Sequence, residues 1–246
     1  MLNAIRGAVG FLTRFPVGRD ETAWDAFRSR PATFPLVGYL IGGLAALPLL
    51  APVPPATAAF GFVVWLYVLT GINHLDGAAD LGDAAVVHGD RERRREVLAD
   101  TTVGVGAVAA VALVFVGLST AGYALAQFPA RALVLVIAAE VGAKGAVALA
   151  ACVGTATHDG LGAQFTDQLG PRNAIAPIVL VVPAALLTWP HPSAFVASAA
   201  ALACTVGTVL WARRTLGGVD GDVMGATAEL ARVVGLHAGV IAWTLS

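Results

Sequence analysis

Apolar residues occur along this chain in long blocks, each about the length that crosses a bilayer as a helix, and the polar residues are gathered between the blocks. The blocks run from Phe34 to Ala51, Ala56 to Ile72, Val103 to Ala126, Ala132 to Val153, Ala174 to Trp189, Ser193 to Ala212 and Leu230 to Leu245. The Pro-rich turn Pro52 to Pro55 separates the first two, and Pro190, His191 and Pro192 separate the fifth from the sixth. The pattern predicts an all-α, polytopic integral membrane helical bundle with about seven transmembrane helices in one domain, residues 1–246. Ahead of the spans, Leu2, Ile5, Val9, Leu12 and Phe15 recur at roughly helical spacing between Arg6 and Arg14. Residues 1–18 are therefore expected to form an amphipathic helix in the membrane interface, stopped by Pro16. Gly18 to Arg30 is polar and reads as a surface loop.

Composition supports the membrane class. Hydrophobic residues make up 57% of the chain and charged residues 13%, about half the charge of a soluble domain, and the mean hydropathy is +0.77. Cys152 and Cys204 lie in apolar segments and read as packed small side chains. The short run Ala8 to Leu12 ends at Arg14 without a small-residue cleavage pattern, so a cleaved signal peptide is not expected. Nucleic acid is not an expected partner, because the one arginine-rich run is short and has no aromatic platform beside it.

The placement of charge sets an orientation. Arg6, Arg14, Arg19, Arg28 and Arg30 precede the first span, Arg91, Arg93, Arg94 and Arg95 follow the second, Arg172 follows the fourth, and Arg213 and Arg214 follow the sixth. The opposite side receives Arg131. The excess of arginine marks the cytoplasmic side, so the N-terminus is expected inside and the C-terminus outside. Residues 73–100, the region from His158 to Arg172 and a loop over residues 213–229 then share the cytoplasmic face.

Gly71 to Asp100 is the polar stretch richest in candidate chemistry. Asp76, Asp80 and Asp83 fall at i, i+4 and i+7 and would share one face of a helix. Close carboxylates repel unless a cation lies among them, and Mg²⁺ takes oxygen ligands that it shares with substrate phosphates. The alternative is a solvated polar loop between spans. Asn73 and His74 precede the aspartates. The run Arg91 to Glu96 reads as an internally salt-bridged helix start leading to Asp100. Lys144 lies inside the fourth span with Glu140 one turn earlier, which suggests either a substrate contact or a self-satisfied pair. Arg214, Thr215, Asp222 and Glu229 belong to a glycine-rich stretch that reads either as a binding loop or as a flexible connection.

Several of these residues carry a resemblance. Phe11-Leu12-Thr13-Arg14-Phe15-Pro16, Thr33 to Gly38, His74-Leu75-Asp76-Gly77 with Ala79-Asp80 and Asp83, Asp100 with Gly104, and Arg214 to Gly218 with Gly221-Asp222, Gly225-Ala226 and Glu229-Leu230 run in order nearly end to end. The chain resembles the cobalamin synthase (adenosylcobinamide-GDP ribazoletransferase) family. It departs from the pattern at Thr102 and Lys144, where arginine is expected, and in the poorly matching region from His158 to Arg172.

The resemblance implies a membrane enzyme of a prokaryote. It would transfer GDP-activated adenosylcobinamide onto α-ribazole or its 5′-phosphate, releasing GMP in the assembly of cobalamin. It also implies Mg²⁺ on Asp76, Asp80 and Asp83, proton transfer through His74 or Asp80, and substrate contacts at Arg14, Asn73, Asp100, Lys144, Arg214, Thr215, Asp222 and Glu229. Membrane lipid would surround the chain, and an oligomer is compatible with the pattern. A phospholipid synthase of the CDP-alcohol phosphotransferase type is the enzyme alternative, although Asp80-Leu81 replaces the Ala-Arg of its signature. A transporter is the non-enzyme alternative.

Overall fold

The computed structural model describes residues 1–18 and 20–246; Arg19, one of the arginines used to orient the chain, lies outside the described residues. The described residues form twelve α-helices with short 3₁₀ turns and no strands, apart from one isolated parallel bridge between Ala156 and Val219. In order they are α1 (Leu2–Leu12), α2 (Glu21–Arg28), α3 (Thr33–Ala45), α4 (Pro55–Thr70), α5 (Asn73–Val86), α6 (Arg91–Leu98), α7 (Val105–Leu125), α8 (Val134–Val153), α9 (Leu161–Thr166), α10 (Ile175–Ala185), α11 (Ser193–Thr215) and α12 (Gly221–Leu245).

Among the described residues, five helical stretches are long and apolar enough to cross a membrane: Thr33–Leu50, Val105–Leu125, Ala130–Val153, Ser193–Thr215 and Gly221–Leu245. The α4–α5 pair would add a sixth, but it is bent by 101°. The expected fifth span, Ala174 to Trp189, contains only the eleven residues of α10, about 16 Å of helix and too short to cross alone. The chain nevertheless runs from one end of the bundle to the other through this region. At one end, Ala156 pairs with Val219, and Gly162 packs on Asp220. At the other, the His191 ring lies 4.6 Å from that of Trp243, Ser246 bonds His191, and Arg131 covers Trp243. The segment from α9 to His191 joins these two ends, so α10 and the turns after it complete a traverse that its length alone does not reveal.

Helix α8 is the centre of the bundle. It is almost wholly buried and packs against α3, α11 and α12. Small residues make this possible: a methyl group on Gly42 would lie 2.7 Å from Ile137 Cα, and one on Gly142 2.8 Å from Ala201 Cβ. Bilayer helices associate through such small-residue contacts, because lipid gives apolar side chains no reason to leave it.

Two polar regions differ from expectation. The surface loop expected between Gly18 and Arg30 contains α2, which Asp20 caps by accepting the Ala23 N–H at 2.7 Å. Its Ala23 and Phe27 are buried, and Trp24 packs against Phe11 of α1. The inward face of α1 is Ala4, Ala8 and Leu12; of the expected stripe only Leu12 is fully buried, while Leu2 and Phe15 are exposed, and Gly7 lies close against the Ala23 backbone. The loop expected over residues 213–229 is mostly helix: α11 continues to Thr215, five residues turn the chain, and α12 begins at Gly221.

Candidate active site

The site is built where α5 meets the start of α12. Gly71 closes α4 with φ of 72°, a left-handed conformation that favours glycine, and its N–H bonds the Tyr67 carbonyl at 2.8 Å. The chain then turns into α5. This helix buries Leu75, Ala78, Leu81 and Ala84 and directs Asp76, Asp80 and Asp83 to another face. Two glycines permit the crossing with α12. A methyl on Gly77 would lie 2.8 Å from the Asp222 carbonyl oxygen, and one on Gly225 3.1 Å from that of His74.

Aspartates from the two helices therefore share one surface. Asp80 lies within electrostatic reach of Asp76, Asp83 and Asp220, and Asp222 within reach of Asp220, Asp80, Asp76 and His158. Local structure accounts for four of the five. Asp220 caps α12, accepting the Val223 N–H at 2.9 Å. Asp83 receives the N–H groups of Gly104 and Ala107 at 2.8 and 2.9 Å, one on each carboxylate oxygen, and so caps α7. Asp76 and Asp222 lie in the first turns of their helices, where the backbone dipole favours negative charge. Asp80 has no such reason. It sits half-buried in the interior of α5 among three other carboxylates, a placement that calls for a cation.

The donor set suits a hard divalent ion, because every acidic group is a carboxylate and several retain free oxygen lone pairs. Among the described residues, no three potential ligands already converge on one point. A Mg²⁺ site does not need that, since this ion commonly uses one or two carboxylates and completes its shell with water and phosphate. The residues fit the ion along a shared surface rather than in a closed cage.

The remaining predicted residues lie in several places. Arg14 and Asn73 come together: both line a cleft of about 450 Å³ beside the α4–α5 break, with Arg14 packed over Gly71. His74 opens α5 and lies within reach of Glu140, Lys144 and Arg232. Lys144 and Glu229 are not brought to that surface. They are 0% and 1% exposed and belong to a closed network: Lys144 Nζ lies 2.8 Å from Glu140 Oε1, Arg232 Nε lies 2.6 Å from Glu140 Oε2, and Arg232 Nη1 lies 2.6 Å from Glu229. The Tyr67 hydroxyl donates to Glu229 at 2.9 Å. Two cations balance two anions there; Lys144 Nζ is paired with Glu140 by charge but has no hydrogen-bond partner among the described residues, and Glu229 belongs to the helix interior.

Asp100 is engaged locally, accepting the Thr102 N–H at 3.0 Å; that contact holds its carboxyl below the ordinary range. The Thr215 hydroxyl donates to the Trp211 carbonyl one turn earlier, and the Arg214 side chain is exposed.

The arginine run proves to be a fastening. Arg91 Nε donates to the Arg214 carbonyl at 3.0 Å and Arg95 Nε to that of Leu216 at 2.7 Å, closing the end of α11. Arg94 reaches the Ala84 carbonyl at the end of α5, and Arg213 the Val153 carbonyl at the end of α8. Cationic side chains satisfy unpaired carbonyls at helix C-termini, where the dipole favours them. Sequence reasoning missed Asp220, His158, Arg232 and Tyr67. Asp220 was recoverable as an N-cap ahead of Gly221 and Asp222. The other three become visible only through pairing across the bundle.

The sequence model of the family described as cobalamin-5-phosphate synthase matches residues 4–240. A protein of Halorubrum lacusprofundi named adenosylcobinamide-GDP ribazoletransferase is 55% identical, over 99% of this chain and 99% of its own. Proteins of the same name from Haloquadratum walsbyi and Halobacterium salinarum are 44% identical over 100% of both chains, and 50% identical over 78% of this chain and 98% of that one. No solved structure matches the chain. On a match that spans almost its whole length, the chain belongs to the cobalamin-5-phosphate synthase family.

Proposed function

We propose that this chain is an adenosylcobinamide-GDP ribazoletransferase, moving the adenosylcobinamide phosphate of its GDP-activated form onto α-ribazole or α-ribazole 5′-phosphate with release of GMP. The observation that carries the reading is the facing of α5 and α12 carboxylates on one surface in a chain of this family. Asp76, Asp80 and Asp222 would hold Mg²⁺, Asp220 would contribute through the oxygen not used in capping, and Asp83, whose two oxygens both cap α7, through the lone pairs they retain. When bound, the ion would neutralise the diphosphate and the charge that gathers on the departing GMP.

The chain's own residues account for the rest of the transfer. The ribazole hydroxyl oxygen forms a bond to the phosphorus attached to cobinamide. The bond from that phosphorus to the GMP oxygen breaks, and its electron pair leaves with GMP. His74 takes the hydroxyl proton, with Asp80 as the alternative acceptor. Arg14 and Asn73 orient the phosphates from the cleft beside that surface. Lys144 and Glu229 act at a distance, by locking α8 to α12 below the site.

We place the protein in the cell membrane of a prokaryote with the site facing the cytoplasm. Arg14, Arg28, Arg91, Arg94, Arg95, Arg213 and Arg214 lie toward the site end of the bundle, and Arg131 lies at the other. The test is the purified full chain with GDP-cobinamide and Mg²⁺, given α-ribazole or its 5′-phosphate in separate reactions and analysed by mass spectrometry. GMP and a completed nucleotide loop are expected with one acceptor or both. Absence of GMP with both would end the reading.

A further inference from the structure

The cleft from which Arg14 and Asn73 orient the phosphates extends beyond what the transfer uses. The space that holds Arg14 and Asn73 continues past Gly10, Phe11 and Gly18 into a second lobe of about 530 Å³, lined by Trp24, Asp20 and Glu21. The two lobes differ in chemistry. The first is basic and opens beside α5, whose Asp76 follows Asn73 by one turn. The second is aromatic and acidic.

The aromatic wall is rigid. Phe11 and Trp24 have ring centroids 5.3 Å apart, Trp24 packs edge-on against Phe165 at 5.6 Å, and its Nε1 donates to Gln164 Oε1 at 2.9 Å. Val17 and Asp20 are tied to α1 as well, because Arg6 donates to the Val17 carbonyl at 2.9 Å and pairs with Asp20 at 2.6 Å. Asp20 also accepts from Thr22 and Ala23. Its oxygens are committed to the fold, which makes Glu21, exposed at the rim, the acidic group available to a ligand.

We infer that this two-lobed cleft is the guanine-nucleotide subsite, with the base held in the second lobe by Trp24 and Glu21 and the phosphates led past Arg14 and Asn73 toward the aspartates. The inference rests on the proposed function and names where its donor nucleotide binds. A planar base gains stacking energy on an aromatic side chain. Guanine presents N1–H and N2–H₂ side by side, a donor pair that one carboxylate accepts bidentately; adenine has no such pair, and a ribosylated benzimidazole has no N–H at all. Arg14 supplies the planar fork that matches phosphate oxygens.

The test uses the purified full chain and measures dissociation constants for GMP, IMP and AMP by titration calorimetry. GMP is expected to bind at least about tenfold more tightly than AMP, with IMP, which lacks the 2-amino group, between them. Glu21→Ala should bring the GMP and AMP constants together, and Glu21→Gln should fall between. Arg14→Met should weaken all three nucleotides by a similar factor. Both side chains are exposed, so thermal midpoints should match that of the unaltered protein; in turnover, KM for GDP-cobinamide should rise by a larger factor than kcat falls. GMP that fails to bind, binds equally well to Glu21→Ala, or is displaced by α-ribazole would overturn the inference. GMP release from GDP-cobinamide by the unaltered chain, measured in parallel, separates that failure from a failure of the proposed function.

Discussion

Gly77 of α5 and Asp222 of α12 approach so closely that a single added methyl group would lie 2.8 Å from the Asp222 carbonyl oxygen and 2.9 Å from its Cα. The contact is backbone to backbone, so no side chain can swing away to make room. Gly77→Ala should push the two acidic helices apart, destabilising the protein by about 1–3 kcal/mol and lowering turnover by about a hundredfold through misplacement of the carboxylates. Gly43, where an added methyl would meet nothing within 4 Å, provides the control: Gly43→Ala should leave turnover unaltered. Equal turnover for both variants would show that the helix crossing does not set the site.

Asp80 and Asp83 lie on one helix but should respond in opposite ways. Asp83 caps α7 with both oxygens, so Asp83→Ala should lower the thermal midpoint by about 2–8 °C. Asp80 holds no cap and is crowded by like charge. Asp80→Asn should therefore leave the midpoint unaltered or raise it, while turnover falls on the order of a hundredfold or more. A scan of melting temperature beside a GMP-release assay reads both. Loss of stability in Asp80→Asn would contradict the assignment.

The buried network predicts a compensation. Lys144→Met alone leaves one uncompensated negative charge among Glu140, Arg232 and Glu229, and Glu140→Gln alone leaves one positive charge. Each should cost about 3–5 kcal/mol. Together they restore neutrality, with Arg232 still paired to Glu229. The double variant should be more stable than the sum of the single changes by about 1–3 kcal/mol, measured by denaturant titration in detergent. Simple additivity would show that the four charges do not act as a unit.

With α10 as a traverse, residue 246 lies at the end of the bundle away from the aspartates, beside His191 and Trp243. A reporter fused after Ser246 should therefore label the side opposite to a tag ahead of Leu2. Both reporters on one side would remove α10 as a traverse.

The sequence displayed some parts of this molecule and concealed others for physical reasons. Spans of sustained apolar character, such as α7 and α11, were plain, because lipid-facing helices carry their hydrophobicity all round. Helix α10 was misjudged in length, since the apolar run from Ala174 to Trp189 hides turns that hydropathy does not sense. Helix α2 escapes a hydropathy pattern because its buried face is only Ala23 and Phe27 with Trp24 beside them, although Asp20 ahead of Glu21 is an ordinary capping signal. The three aspartates of α5 were legible from spacing alone. Asp220, His158 and the balanced set of Glu140, Lys144, Glu229 and Arg232 depend on contacts between residues far apart in sequence: Glu140 and Arg232 are 92 positions apart.

The arginines of α6 also bear on the solution in which this surface can function. Exposed ion pairs weaken as ionic strength rises, because mobile ions screen them. Arg91, Arg94 and Arg95 instead reach backbone carbonyls of α11 and α5, uncharged acceptors whose short-range hydrogen bonds depend on contact more than on a long-range field. A helix joined to its neighbours in this way keeps its attachment in concentrated salt, where a surface tied together by carboxylate–guanidinium pairs would loosen.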